Sequence, residues 1–252
     1  MISNNYKKVL SLFLILAFGI PWVFWTIMLF TQFSFLLFYS AIACSAAGLL
    51  AIYQTQKWEG IKTIILKMFT KPNWKTLLIT FVVPLVWVLG SVSIYGLLFD
   101  TQGLKDVNFF NAISIFSFHT LWLLTTGPLA EEFGWRGFML PHLLKKYNFL
   151  KTTLVIGLFW ALWHLPIMFP KWSSEPLSMV AFFLVLINYS IWFGVLYIIS
   201  GGNILYSILF HWFINALQEF SFINSIFPQI SLGSISYLWV LTATSFIVTA
   251  FF

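Results

Sequence analysis

The chain has 252 residues, of which 60% are hydrophobic and only 8% charged, with a mean hydropathy of +0.93. Soluble domains carry about 25% charged residues, so this composition excludes a soluble globular protein and implies a polytopic membrane protein built as one domain over residues 1–252. The net charge of +6 does not argue for nucleic acid, because the lysines lie in short segments between apolar runs and read there as topology signals.

Spanning a bilayer takes about 20 apolar residues. Eight stretches qualify: 9–30, 35–53, 76–99, 109–130, 151–169, 177–200, 203–222 and 232–252. The expected fold is an all-α bundle of eight transmembrane helices. Lys7-Lys8 before the first run also fits a signal peptide, but the run continues to Phe30 without a small-x-small cleavage site, so it reads as a retained span. Cys44 lies in the second run and is the single cysteine of the chain. It excludes an intrachain disulfide and a cysteine-ligand metal site, and it reads as a packing residue. Residues 58–71 alternate Ile61, Ile64, Ile65, Leu66, Met68 and Phe69 with Lys62, Lys67 and Lys71, the pattern of a short helix lying on the inner leaflet.

Pro84 and Pro166 are expected to kink their spans, and Gly201-Gly202-Asn203 to make a tight turn. With the N-terminus inside, eleven of the thirteen Lys and Arg residues fall on the inner side, and only Lys105 and Lys171 fall outside. Both termini are therefore expected in the cytosol. Twelve Lys against one Arg is the usage of an AT-rich bacterial genome, which points to a multi-pass protein of a bacterial cytoplasmic membrane.

Three apolar stretches carry titratable clusters: Glu131-Glu132-Phe-Gly-Trp-Arg136, Trp160-Ala-Leu-Trp-His164 and His211-Trp-Phe-Ile-Asn215. A charge at the centre of a membrane helix costs about 2.5–3.5 kcal/mol or more, so such residues are functional candidates by default. On a helix Glu132 and Arg136 share a face and can pair, while Glu131 is rotated about 100° away and left for general-base chemistry. Lys145 and Lys151 bracket a hairpin in which Glu131 and His164 sit at similar distances from the turn, so the two can share one water. His211 and Asn215 are one turn apart, and their N–H groups suit an oxyanion. Gln218 continues that stripe and Glu219 lies near its edge.

His119 falls off the Glu131 face and reads as structural. Asn188 reads as an interhelical hydrogen bond. Trp135, Trp160, Trp163 and Trp212 flank the clusters and either wall a site or simply pack.

With these residues in view, the chain resembles the CPBP intramembrane proteases, the CAAX-protease and bacteriocin-processing (Abi) family, and looks like its bacterial branch. The family pattern is Glu-Glu-x-x-x-Arg, Phe-x-x-x-His and His-x-x-x-Asn. All three occur here in order, within a motif-bearing core of about 109–222, with Trp160 in place of the family's Phe. The resemblance implies an intramembrane endopeptidase. Glu131 would activate water with His164, Glu132 and Arg136 would support it beside Trp160, and His211 and Asn215 would stabilise the oxyanion. It implies a membrane-associated peptide or protein substrate, which in the eukaryotic branch is prenylated, and no nucleic acid.

Cofactor use stays open between two readings. The preferred one needs none. The other takes Glu131, His164 and His211 as zinc ligands, although no His-Glu-x-x-His is present. Two other functions compete with the protease. One is a non-catalytic membrane protein serving bacteriocin immunity or scaffolding a sensor. The other is a transporter or proton pathway, against which stands the lack of an inverted repeat.

Overall fold

A long apolar run in lipid has no water for its backbone N–H and C=O groups, so it closes them within a helix. The computed structural model describes residues 4–31, 33, 35–101, 118–218, 226 and 235–250, and every regular element among them is helical. Helix α1 (Asn4–Phe30) lies along α2 (Phe35–Met68). The expected second span and the expected surface helix prove to be the two limbs of α2. They meet at a kink where Lys57 takes φ 58° and ψ −158°. Beyond the kink Ile61 and Ile64 pack on the core while Lys62, Ile65 and Leu66 are exposed, the two-sided character expected of that stretch.

Asn73 caps α3 (Trp74–Phe99) by accepting the N–H groups of Lys75 and Thr76 at 3.1 and 3.3 Å. This helix runs unbroken through Pro84. Of the expected span 109–130, residues 109–117 lie outside the described residues. The remainder forms α4 (Phe118–Thr126) and then α5 (Pro128–Glu132). A π-helix (Phe133–Met139) follows, and then α6 (Leu140–Leu144).

Helix α7 (Phe149–Trp163) is capped by Asn148. It ends at His164, where the chain bends by 75° into α8 (Leu165–Ser174). The expected continuous span 151–169 is thus a broken one. The physical cause is Pro166, which lacks an N–H and whose ring clashes with the carbonyl one turn back. Helix α9 (Pro176–Ile199) leads to the expected turn, where Gly201 and Gly202 take φ 67° and 84°, a conformation that favours glycine. Helix α10 (Leu205–Gln218) and helix α11 (Ile235–Ala250) complete the bundle. Glu219, residues 219–222 of the seventh expected span, and both ends of the eighth lie outside the described residues.

Among the described residues three helical segments are long and apolar enough to cross a membrane: Lys7–Phe30, Trp74–Phe99 and Pro176–Ile199. The bent α7–α8 pair qualifies as a fourth, and α11 is a shorter apolar helix. Ile15, Val23, Leu97, Leu98 and Ile198 point outward and are well exposed, while carboxylates and a guanidinium are inside. That inversion of the soluble pattern is what lipid requires, and the chain is a multi-pass membrane protein.

Helix α10 sits centrally, touching α3, α4, α5 and α9. Indole N–H groups pin the helices that carry the motifs. Trp163 donates to Ala17 O at 2.7 Å, Trp22 returns a bond to Trp163 O at 3.0 Å, and Trp212 donates to Thr120 O at 2.7 Å. The first two tie α1 to the break at His164, and the third ties α10 to α4.

Candidate active site

The three clusters, remote in sequence, converge at one place. Glu131 and Glu132 close α5, and the π-helix begins at Phe133. A π-helix inserts an extra residue into the turn and is frequent at functional sites. Here it follows two adjacent carboxylates whose partners lie on different helices. Glu132 accepts from Arg136 Nη1 at 3.0 Å and from His211 Nδ1 at 2.8 Å, both at Oε1. Glu131 accepts from Trp160 Nε1 at 2.6 Å through Oε2.

The Glu132–Arg136 pair is the one expected from spacing. Its extension to His211 was not foreseen, and neither was a partner for Glu131, which the spacing alone leaves free. Trp160 stands where the related pattern has Phe, and only the indole can donate that bond. The departure in the second motif is therefore the signal that could have found it.

Glu132 and Arg136 are fully buried. The guanidinium carbon lies 3.7 Å from the Phe193 ring centroid and 4.7 Å from that of Trp160. Among the described residues Glu132 Oε2 and Arg136 Nη2 have no hydrogen-bond partner, and these ring faces add to what stabilises the cation.

His164 is half-buried at the helix break, with Nδ1 2.8 Å from Trp160 O. A carbonyl oxygen only accepts, so Nδ1 carries the hydrogen and Nε2 of the neutral ring is left to accept one. His211 has Nδ1 committed to Glu132. Its Nε2 lies on the side of Gly127, where a Cβ would come 3.9 Å from that atom and 3.1 Å from Asn215 Nδ2. The two nitrogens expected to hold an oxyanion thus lie near one position beside Gly127.

Two cavities meet here. One, of about 220 Å³, is lined by Glu131, His164, His211 and Asn215 and walled by apolar side chains such as Val185 and Leu241. The other, of about 180 Å³, lies toward Trp25, Thr126 and Gly127. Glu131, His164 and Asn215 line both. Gln218 also faces the first cavity and donates to Tyr189 OH at 2.9 Å. His119 is exposed and lines neither cavity. Asn188 accepts from Thr249 at 2.9 Å, an α9–α11 bond as expected.

Among the described residues, no three His, Cys, Asp or Glu side chains gather closely enough to hold a metal ion. Glu131, His164 and His211 line a common cavity, and each imidazole engages Nδ1 elsewhere and presents Nε2.

The arrangement brings to one pair of cavities a carboxylate, a histidine acceptor and two side-chain nitrogens near Gly127, groups of the kind that hydrolysis of a carbonyl compound uses. Sequence comparison agrees with it. The family described as type II CAAX prenyl endopeptidase, Rce1-like, matches residues 113–217, which include all three clusters. The chain is 26% identical over 248 residues to CAAX prenyl protease 2 of Methanococcus maripaludis, with 86% of each chain covered. Over the stretch that carries the three clusters the chain is thus similar to the Rce1-like CAAX prenyl endopeptidases.

Proposed function

We propose that this protein hydrolyses a peptide bond of a membrane-associated substrate, a prenylated CAAX-type C-terminus being the class its relatives' names point to. The observation that carries the proposal is the convergence of Glu131, His164 and Asn215 on the junction of two cavities. A scissile bond placed there has room for chain on both of its sides. Water held between Glu131 and His164 attacks the carbonyl carbon, and its proton passes to Glu131. The negative charge on the carbonyl oxygen is stabilised by Asn215 Nδ2–H and by His211 Nε2–H, the latter ring balanced by Glu132. Collapse of the tetrahedral species breaks the C–N bond, and Glu131 returns the proton to the departing amine.

No step in this scheme uses a metal, and cleavage is expected to survive a zinc chelator; loss of activity restored by added zinc would overturn that part. Eight membrane passages with both termini cytosolic go with the proposal, on the placement of the lysines. So does residence in a bacterial cytoplasmic membrane, on the codon-level bias.

The test compares membrane-protein termini in cells expressing wild type and Glu131→Gln at matched levels. A new terminus seen only with wild type supports hydrolysis and names the substrate. Identical termini together with a retained phenotype would overturn it and leave a scaffold or immunity role.

A further inference from the structure

Two neighbouring carboxylates do opposite jobs here, and something must hold their shared backbone in register. The surface that touches this backbone from behind belongs to α2. Ser45 Oγ donates to Leu129 O at 2.8 Å, and Cys44 Sγ lies 3.7 Å from Glu131 O. Both carbonyls belong to α5, just before the passage from α- to π-geometry, where the regular ladder of helical bonds is interrupted.

One turn further along α2 the two backbones touch. A Cβ on Gly48 would sit 2.5 Å from Gly134 Cα and 2.6 Å from Phe133 O. A Cβ on Gly134 would sit 2.6 Å from Cys44 O and Cys44 Sγ. Most of these neighbours are backbone atoms, so no side-chain rotation can make room. Glycine inside a helix is a conformational liability, and here two of them oppose each other across one contact. Cys44, Ser45 and Gly48 line neither cavity. Whatever they contribute to the reaction passes through the backbone they hold.

We propose that Ser45 and Gly48 are positioning residues for the Glu131–Glu132 pair, with α2 serving as the fixed back-plate of the α5–π junction. The contact sets how far the junction stands from α7 and α10. That distance decides whether Glu131 meets Trp160 and its cavity while Glu132 meets His211. The inference rests on the proposed hydrolysis, because it assigns a catalytic consequence to this contact.

The full-length protein reports on the contact itself, since Cys44 is its single cysteine and is fully buried. The experiment uses purified protein in proteoliposomes, with an internally quenched peptide bearing a farnesylated CAAX terminus as probe. Wild type, Gly48→Ala, Ser45→Ala, Ser45→Thr and Glu131→Gln are compared. Each is measured for kcat and KM, for thermal midpoint, and for the rate of Cys44 labelling by a maleimide.

Misplacing a reacting group by about 1 Å can lower a rate about 10²-fold. Gly48→Ala is expected to lose kcat on that scale with KM little changed, to lower the midpoint because the two backbones must part, and to label faster at Cys44. Ser45→Ala is expected to lose less, and Ser45→Thr, which keeps the hydroxyl, to recover most of it. If Gly48→Ala fails to fold, the Ser45 pair decides. Unchanged kcat in the alanine variants while Glu131→Gln abolishes cleavage would overturn the positioning role and leave the hydrolase standing. Loss of kcat in Ser45→Ala only in step with a lowered midpoint would also overturn it. Cleavage of the probe by Glu131→Gln as fast as by wild type would instead sink the hydrolytic reading itself.

Discussion

Two polar regions lie side by side in this bundle and differ in how they are enclosed. The Glu132–Arg136 pair is packed shut, with its guanidinium against the Phe193 and Trp160 rings and its carboxylate fully buried, and it reaches the cavity only through His211. The Glu131–His164–Asn215 group is built from similar residue types. Its members face two cavities, and His164 and Asn215 are half-buried. A buried ion pair holds position because separating it leaves an unpaired charge in a medium that cannot solvate it. A group bordering a cavity can take a water or a substrate atom. On the proposed mechanism the first region supplies electrostatic support and the second the chemistry, although both begin in the same Glu-Glu dipeptide.

The sharpest way to break this division is Glu131→Gln, which keeps size but cannot take a proton. It is expected to lower the cleavage rate about 10⁴-fold, with stability near wild type. An equal rate would move the chemistry elsewhere. Arg136→Met attacks the closed region instead. It strands Glu132 and is expected to lower stability by about 3–5 kcal/mol, read as denaturant resistance in detergent. A stable variant would show that His211 alone suffices to balance Glu132.

Asn215→Ala removes one oxyanion donor at the open side. A fall in kcat of about 10²–10³-fold is expected, with KM little changed. A change confined to KM would make Asn215 a binding residue. The smallest effect belongs to Trp160→Phe, which installs the residue of the related pattern and deletes the 2.6 Å bond to Glu131. A hydrogen bond to a charged group is worth about 1.5–3 kcal/mol, so the loss is at least tenfold if Glu131 depends on it. No loss would make Trp160 a wall only.

Short-range spacing was enough to read much of this molecule. Apolar run length determined that the chain is helical and membrane-embedded, because lipid leaves the backbone no other way to close its hydrogen bonds. The four-residue interval determined the Glu132–Arg136 pair, because residues one turn apart on a helix are neighbours wherever the helix docks. The same interval put His211 and Asn215 on one face, and Gly201-Gly202 was legible as a turn.

The rest lay in contacts between helices. That His211 joins Glu132, that Trp160 holds Glu131, and that Gly48 meets Gly134 depend on how α2, α5, α7 and α10 are set against one another. No periodicity within a single helix carries that information. Pro166 announced a bend, but only the packed structure decided that the break falls at His164 and brings its ring to the junction of two cavities. The residue types were therefore decided locally. Their division into an enclosed ion pair and a cavity-lining group was decided by tertiary packing, because burial and the choice of partner are properties of the assembled bundle.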